Sequence, residues 1–320
     1  MYCPRCNMLN GTIAKICVSC RYPLKLPAEQ AQRSITAAYP IVVNPNPLLQ
    51  DRYRLLASLG QGGFGSVFKA QDTLSQNKVV AIKEISLNGL QQQEMLDATA
   101  SFNREVQVLS DLRHPGLPKL YNYFTDAEHW YLVMDFIAGE TLERHLEQTI
   151  GGHFLQLTDV LRVGIQLCIV LDYMHTHNPP IIFRDLKPSN VMLIPSGGVR
   201  LIDFGIARYF KPGQFKDTMA FGSPGYAAPE QYGKAQTTPC ADVYSLGAML
   251  HQMLTGNDPT EVPFRFLPLQ TYNLRHPQAT ALQLLDRLLT HMVELDPGKR
   301  PGSMALVKQH LKYIAEKCRI

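Results

Sequence analysis

Hydrophobic and polar residues follow two different periods along the chain, and the period changes near residue 141. Before that point, short runs of β-branched and aromatic residues are separated by Gly, Asn and Asp, a pattern that predicts strands. Apolar residues at helical spacing interrupt these runs once and predict a helix over Leu96–Leu112. The predicted strands are Tyr53–Leu59, Val67–Gln71, Val79–Ile85, Leu120–Phe124 and Trp130–Met134.

Long helical patterns dominate after Thr141. A strand-rich region followed by a helix-rich region predicts an α+β fold of two lobes, and a cleft is expected where the lobes meet. The predicted helices of the second region are Thr158–His177, Ala241–Thr255, Ala279–Glu294 and Ser303–Lys317.

The first 50 residues have a different composition. Four of the seven cysteines form two Cys-x-x-Cys pairs, Cys3 with Cys6 and Cys17 with Cys20. The stretch that follows is rich in Pro, Ala, Gln and Asn, which predicts an extended linker because proline fixes φ and lacks an amide donor. The expected domains are a cysteine module over residues 1–25, a Pro-rich linker over 26–50 and a main domain over 51–317.

Composition and charge exclude several classes of protein. Hydrophobic residues make up 45% of the chain, which is enough for a core and argues against wholesale disorder. No apolar run approaches the roughly 18 to 20 residues of a membrane-spanning helix, and the first residues do not resemble a secretory signal, so a cytoplasmic protein is expected. The net charge of +4 lies in residues 1–50, which leaves the main domain neutral and argues against nucleic-acid binding by it.

Two motifs of the strand-rich region suit phosphate chemistry. Gly60–Val67, which reads Gly-Gln-Gly-Gly-Phe-Gly-Ser-Val, lies between two strands, and its glycines allow the backbone to approach a polyphosphate. By itself this segment is equally compatible with a flexible hairpin. Lys83 ends the apolar run Val80-Ala81-Ile82 and needs an anion if it is buried, either a phosphate or the carboxylate of Glu105.

Two further motifs place polar groups beside apolar runs. Phe183–Asn190 reads Phe-Arg-Asp-Leu-Lys-Pro-Ser-Asn, and Leu201–Gly205 reads Leu-Ile-Asp-Phe-Gly. In the first, Asp185 can accept a hydroxyl proton and Lys187 can screen a phosphoryl group. Asn190, and Asp203 in the second, can offer oxygen atoms to a divalent ion. Each motif alone could also be a turn.

Taken together, in this order and spacing, the motifs resemble the eukaryotic-type (Hanks-type) serine/threonine protein kinases, and in particular their bacterial-like branch, over nearly all of residues 51–316. Ala228-Pro229-Glu230, Asp242 and Arg300 extend the resemblance, with Arg300 as the expected partner of Glu230. The resemblance implies a bilobal kinase fold, with a β-rich first lobe and a helical second lobe. It also implies Mg-ATP, or Mn-ATP, and protein substrates as ligands.

The resemblance implies a role for each motif residue. Lys83 would hold the α- and β-phosphates and pair with Glu105, Asp185 would accept the proton of the substrate hydroxyl, and Lys187 would offset charge. Asn190 and Asp203 would hold the metal. The nucleotide would contact Gly60, Gly62, Gly63, Phe64, Gly65, Val67, Ala81 and Lys83, with Met134 as gatekeeper and the backbone of Asp135 and Ile137 at the adenine.

One residue departs from the family pattern. Phe183 stands where the family usually has a histidine that packs on the Phe of Asp-Phe-Gly, here Phe204. Phosphoryl transfer is still expected, because no group that touches phosphate, metal or the proton is lost. A pseudokinase scaffold that binds ATP and recruits partners through the cysteine module is the alternative. Ser223 is expected to bond Asp185 and Lys187, and Thr218 is the expected autophosphorylation site of the activation segment.

The paired cysteine motifs resemble a short zinc ribbon. Cys3, Cys6, Cys17 and Cys20 would place four thiolates on one structural Zn²⁺, and a segment of about 25 residues needs such a cross-link because it cannot build its own core. Disulfides that act as a redox switch, or iron in the same site, are the alternatives. Whether the module docks on the main domain, binds a protein partner or binds nucleic acid stays open.

Overall fold

The computed structural model describes residues 48–62, 65–149, 155–210, 222–233, 236–269 and 279–318, and every structural statement below concerns these residues. The predicted cysteine module and nearly all of the linker lie outside them. So do Gly63, Phe64 and Thr218 of the predicted kinase motifs.

The first lobe contains a five-stranded antiparallel sheet with the order β1-β2-β3-β5-β4. All five strands were predicted, and each extends beyond its predicted run by one to three residues in total. One face of the sheet packs a small core that includes Tyr53, Val80, Ile82 and Val133. The strands are β1 Tyr53–Gly62, β2 Gly65–Asp72, β3 Lys78–Ser86, β4 Leu120–Thr125 and β5 His129–Asp135.

Helix α1, Gln92–Asp111, lies between β3 and β4 in the chain. It starts four residues before the predicted Leu96, because the carboxylate of Glu94 accepts a hydrogen bond from the N–H of Gln91 at 2.8 Å and caps a polar first turn. Apolar spacing cannot reveal such a turn. The buried side of the helix carries Phe102 and Glu105, and a buried carboxylate among apolar side chains requires a partner.

The second lobe is helical and holds the larger core. Helix α4 is buried from Ala241 to Thr255 and ends at Gly256, which adopts the left-handed φ of +70° that favours glycine at a helix C-terminus. Helix α2 was not predicted, since its eight residues bury only two leucines. The helices are α2 Leu142–Thr149, α3 Leu157–His175, α4 Pro239–Thr255, α5 Ala279–Met292 and α6 Met304–Lys317.

Short strands position the polar loops of the second lobe. They form a three-stranded sheet, β6-β8-β9, and a two-stranded sheet, β10-β7. Pairing of β8 with β9 lets the N–H of Ile202 donate to the carbonyl of Asn190 at 2.9 Å, which brings the two predicted metal ligands, Asn190 and Asp203, close together. The strands are β6 Glu140–Thr141, β7 Ile181–Ile182, β8 Val191–Leu193, β9 Val199–Leu201 and β10 Arg208–Tyr209.

Among the described residues, no helix combines the length and the apolar character needed to cross a bilayer.

Candidate active site

The register of the first-lobe sheet aligns the predicted nucleotide residues. Gly60 pairs with Val67 across β1 and β2, and Val67 pairs with Lys83 across β2 and β3. Ala81 lies two residues before Lys83, on the same face of β3, and pairs with Met134 on β5. Gly60, Val67 and Lys83 therefore form one row across the sheet. Ala81 and Met134 belong to the neighbouring row.

Gly65 shows why the hairpin between β1 and β2 needs glycine. A Cβ atom at Gly65 would lie 1.8 Å from the backbone oxygen of Glu84, so no side chain fits there without movement of β3. Gly65 pairs with Gly62, so the two glycines flank positions 63 and 64, where the chain passes from β1 to β2. Gly60, in contrast, has open space around its Cα, so its identity is not required by packing.

Lys83 joins the two lobes. Its ammonium donates to both carboxylate oxygens of Glu105 on α1, each at 2.9 Å, and to Oδ1 of Asp203 at 2.8 Å. Glu105 is buried, whereas the Asp203 side chain is 49% exposed. The pairing of Lys83 with Glu105 expected from the sequence is therefore present, and it supplies the anion that a lysine at the end of the apolar run Val80–Ile82 needs.

Charge interactions set the ionisation of this group of three. Burial on its own lowers the pKa of Lys83, but the carboxylates of Glu105 and Asp203 outweigh burial and hold that pKa above its usual range. Burial also opposes ionisation of Asp203, and the Lys83 ammonium more than reverses this, so the pKa of Asp203 lies below its usual range. Asp203 is accordingly anionic at neutral pH and able to bind a cation.

The carboxylate of Asp185 is held by three neighbouring side chains. The amide nitrogen of Asn190 donates to Asp185 Oδ2 at 2.9 Å, and the hydroxyl of Ser223 donates to Oδ1 at 2.8 Å. Lys187 lies 3.1 Å from Oδ2 and donates to Ser223 at 2.7 Å. Ser223 thus makes both contacts expected of it, and Asp185 is oriented as a proton acceptor requires.

The loop that carries Asp185 is braced by the N-terminal turn of α4. The buried carboxylate of Asp242 accepts hydrogen bonds from the N–H groups of Phe183 at 2.9 Å and Arg184 at 2.8 Å. Arg184 has a φ of +69°, a conformation that costs a non-glycine residue about 1 kcal/mol or more and persists only when its surroundings impose it. The Asp242 carboxylate supplies this constraint.

His175 completes this brace, and the sequence motifs did not reveal it. Its Nε2 atom lies 2.8 Å from Oδ2 of Asp242, and both side chains are buried. The histidine ends α3, 67 residues before its partner. Only its position near the end of an apolar helix could have drawn attention to it.

Phe183 fills the position expected from the sequence. Its ring packs edge-on against Phe204, with ring centroids 5.2 Å apart and an interplanar angle of 72°. Both rings are buried within 1% exposure. The contact between the two loops is therefore kept by apolar packing alone.

A buried ion pair holds the Ala228-Pro229-Glu230 motif in place. Arg300 binds Glu230 in a bidentate manner, with Nη1–Oε1 at 2.7 Å and Nη2–Oε2 at 2.9 Å. The pairing of these residues was expected from the sequence. Arg300 is also bonded to the backbone carbonyls of Cys240, Glu294 and Leu295, so its charge is well satisfied despite burial.

The chemistry of the donor atoms suits a hard divalent ion. The described residues contain no group of three or more His, Cys, Asp or Glu side chains placed to hold a metal ion. Mg²⁺, however, typically binds one or two protein oxygens together with water and substrate phosphates. Asp203 offers a carboxylate, and Asn190, whose amide nitrogen is engaged by Asp185, has its amide oxygen left for a metal. The residues present therefore fit magnesium together with a polyphosphate.

Comparison with known families agrees with this geometry. A protein-family model described as protein kinase domain matches residues 53–312. The chain belongs to the protein kinase family. Its fold, a sheet-rich first lobe and a helical second lobe, is that of the family, and the family uses ATP and Mg²⁺.

Curated relatives include several serine/threonine kinases. "Probable serine/threonine-protein kinase PknB" of Lactococcus lactis is 32% identical over 213 residues, which cover 66% of this chain and 33% of that protein. "Serine/threonine-protein kinase BIK1" of Arabidopsis thaliana is 33% identical over 244 residues, which cover 72% of this chain and 60% of that protein. The chain thus spans less than two thirds of the length of either relative.

Proposed function

We propose that this chain is a protein serine/threonine kinase that transfers the γ-phosphoryl group of Mg-ATP to protein hydroxyls. The observation that carries the proposal is the contact of Lys83 with both Glu105 and Asp203, which joins the two lobes at the predicted phosphate site. The names of the relatives from Lactococcus lactis and Arabidopsis thaliana support the same activity.

The nucleotide would lie against the two aligned rows of the first lobe. Lys83 would contact its α- and β-phosphates. Gly60, Gly62 and Gly65, together with Gly63 and Phe64, would cover the phosphates. The adenine would lie beside Ala81 and the hinge, the segment of residues 134–137 that begins with Met134. Asp135 donates its N–H to the carbonyl of Lys119, so its own carbonyl is the group available to the base, with Ile137 as the second backbone contact.

The side chains around Asp185 would perform the transfer by positioning and electrostatics. Asp185 would receive the proton of the attacking hydroxyl, and Lys187, 3.1 Å away, would offset the charge that develops on the phosphoryl oxygens. Asn190 and Asp203 would hold Mg²⁺, or Mn²⁺. The metal, when bound, neutralises phosphate charge.

The pseudokinase alternative is not favoured. It is motivated by Phe183, which replaces the usual histidine, but that residue retains its packing on Phe204. Every group that the phosphoryl-transfer reaction needs is present, and Asp185 is oriented by three side chains.

Transfer of radiolabelled phosphate from Mg-ATP to casein and to the chain itself tests the proposal. We expect label on phosphoserine and phosphothreonine, and a rate at least about a hundredfold lower for Asp185→Asn, because the proton acceptor is lost. Asp159→Asn, which alters an exposed carboxylate on α3, is the matched control and should retain the wild-type rate. Equal labelling by wild-type protein and Asp185→Asn would refute the proposal.

Autophosphorylation of the activation segment belongs to the same proposal. Thr218 is the proposed acceptor, and Arg184, directly before Asp185, would bind the phosphate. Mass spectrometry after incubation with ATP should find the modification in wild-type protein and in Thr218→Ala should find none at that position. An unmodified Thr218 in a fully active kinase would exclude it.

For the first 25 residues we propose a structural zinc site on Cys3, Cys6, Cys17 and Cys20. For the whole chain we propose a cytoplasmic location. The paired Cys-x-x-Cys spacing supports zinc, and a reducing compartment keeps thiolates available. A protein partner is the proposed ligand of this module. Metal analysis with a thiol count on anaerobically purified protein should give one zinc per chain. Disulfides without metal would instead favour the redox switch.

A further inference from the structure

Helix α1 contacts the Asp-Phe-Gly segment, residues 203–205, at a second point besides Glu105. The hydroxyl of Ser101 donates a hydrogen bond of 2.7 Å to the carbonyl oxygen of Gly205. One turn further along the same helix, Glu105 accepts a bond of 3.4 Å from the N–H of Phe204. Residues four apart share one face of a helix, so a single face of α1 holds this segment by a donor and an acceptor.

These two contacts follow directly after the carboxylate that is proposed to bind metal. Asp203 adopts a φ of +64°, and a non-glycine residue stays in this region only where neighbouring contacts impose it. Glu105 is already engaged by Lys83, and its bond to Phe204 is long. The bond from Ser101 to Gly205, at 2.7 Å, is shorter than the bond from Phe204 to Glu105, at 3.4 Å. We therefore expect Ser101 to supply much of the attachment of residues 203–205 to α1.

We propose that Ser101 is a positioning residue that ties residues 203–205 to α1 and thereby fixes the Asp203 carboxylate for magnesium. Ser101 acts through Gly205 and touches neither nucleotide nor substrate. Its consequence for phosphoryl transfer rests on the proposed function, whereas the attachment itself needs no nucleotide and is tested without it.

The chain offers a matched set of variants. Ser101→Ala removes the hydroxyl, whereas Ser101→Thr keeps a hydroxyl on the Cβ atom of the same residue. Thr99→Ala is the control, because the Thr99 hydroxyl donates to the carbonyl of Met95 at 2.7 Å and so serves only its own helix. Loss of a hydroxyl from α1 is then separated from loss of the contact with Gly205.

Hydrogen–deuterium exchange of the full-length protein without nucleotide tests the attachment. In Ser101→Ala, amides of residues 203–207 should exchange about fivefold faster, the effect expected for one lost hydrogen bond. Ser101→Thr and Thr99→Ala should match the wild-type protein in this segment. Wild-type exchange in Ser101→Ala, or equal acceleration in Thr99→Ala, would overturn the inference.

The magnesium dependence of the transfer rate tests the consequence. Ser101→Ala should need about fivefold more Mg²⁺ for its half-maximal rate, with Ser101→Thr restoring the wild-type value and the KM for the protein substrate unchanged. An unaltered Mg²⁺ requirement would show that Ser101 does not position Asp203. Absence of transfer by the wild-type protein would refute the proposed kinase activity instead, and the exchange experiment would still decide the attachment.

Discussion

Backbone geometry at single residues accounts for much of the site. Asp203 and Arg184 both adopt left-handed φ values, +64° and +69°. Asp203 is the proposed metal ligand, and Arg184 directly precedes the proposed proton acceptor, Asp185. In both places a hydrogen-bond network compensates for the strain, through Lys83 for Asp203 and through Asp242 for Arg184. The sequence motifs name Arg184 and Asp203 but give no sign of these backbone conformations.

Two glycines of the β1–β2 hairpin should differ sharply in their tolerance to a methyl group. Gly65→Ala places a Cβ atom 1.8 Å from the Glu84 oxygen and should lower the free energy of unfolding by about 1 to 3 kcal/mol, the usual effect of overpacking. Gly60→Ala meets open space and should stay within about 0.5 kcal/mol of wild type. Urea unfolding of both variants checks this, and equal stabilities would contradict the packing argument.

Two long-range contacts made by residues that no family motif names could not be predicted. Ser101 and Gly205 are 104 residues apart, and His175 and Asp242 are 67 residues apart. A serine on a helix and a histidine at a helix end are common, and neither forms a motif with its neighbours in sequence. Their partners are defined only once the lobes have folded.

At the scale of elements, periodicity predicted the longest helices and the five strands of the first lobe. It failed where polar chemistry or short length decides the structure, as at the polar first turn of α1 and in the eight-residue helix α2. It also missed the ion pair that ties the start of β1 to the end of β2. Arg52 binds Asp72 in a bidentate manner, Nε–Oδ1 at 2.8 Å and Nη2–Oδ2 at 2.7 Å.

This ion pair makes the stability of the hairpin pH-dependent. The hydrogen bonds from Arg52 hold the pKa of Asp72 at about 2, whereas an aspartate in an unfolded chain titrates at about 3.9. Because the folded-state pKa is the lower one, the stabilisation is fully present above about pH 4 to 5 and is lost as the pH falls towards about 2.

Asp72→Asn should therefore destabilise the protein in a pH-dependent way. We expect a loss of about 1 kcal/mol in the free energy of unfolding at pH 7, since solvent around the partly exposed Arg52 weakens the pair. The difference from wild type should shrink between about pH 4 and pH 3 in urea unfolding experiments. A difference that is the same at pH 7 and pH 3 would mean that charge does not contribute.

At the scale of the whole molecule, the site is assembled from both lobes. The lysine comes from a strand of the first lobe, its first partner from α1, and its second partner from the loop after β9. The order and spacing of motifs predicted this set of residues, because the family's chemistry needs all of them. The cysteine module lies outside the described residues, so its structure and metal remain predictions from spacing alone.

The most direct test of the account is calorimetric titration of ATP with and without Mg²⁺, on wild-type protein, Asp203→Asn and the surface control Asp159→Asn. The account predicts that Mg²⁺ tightens ATP binding to wild-type protein and to the control by at least about tenfold, and that Asp203→Asn loses most of this gain. ATP binding that is indifferent to Mg²⁺ in the wild-type protein, or an Asp203→Asn variant that keeps the full gain, would contradict it.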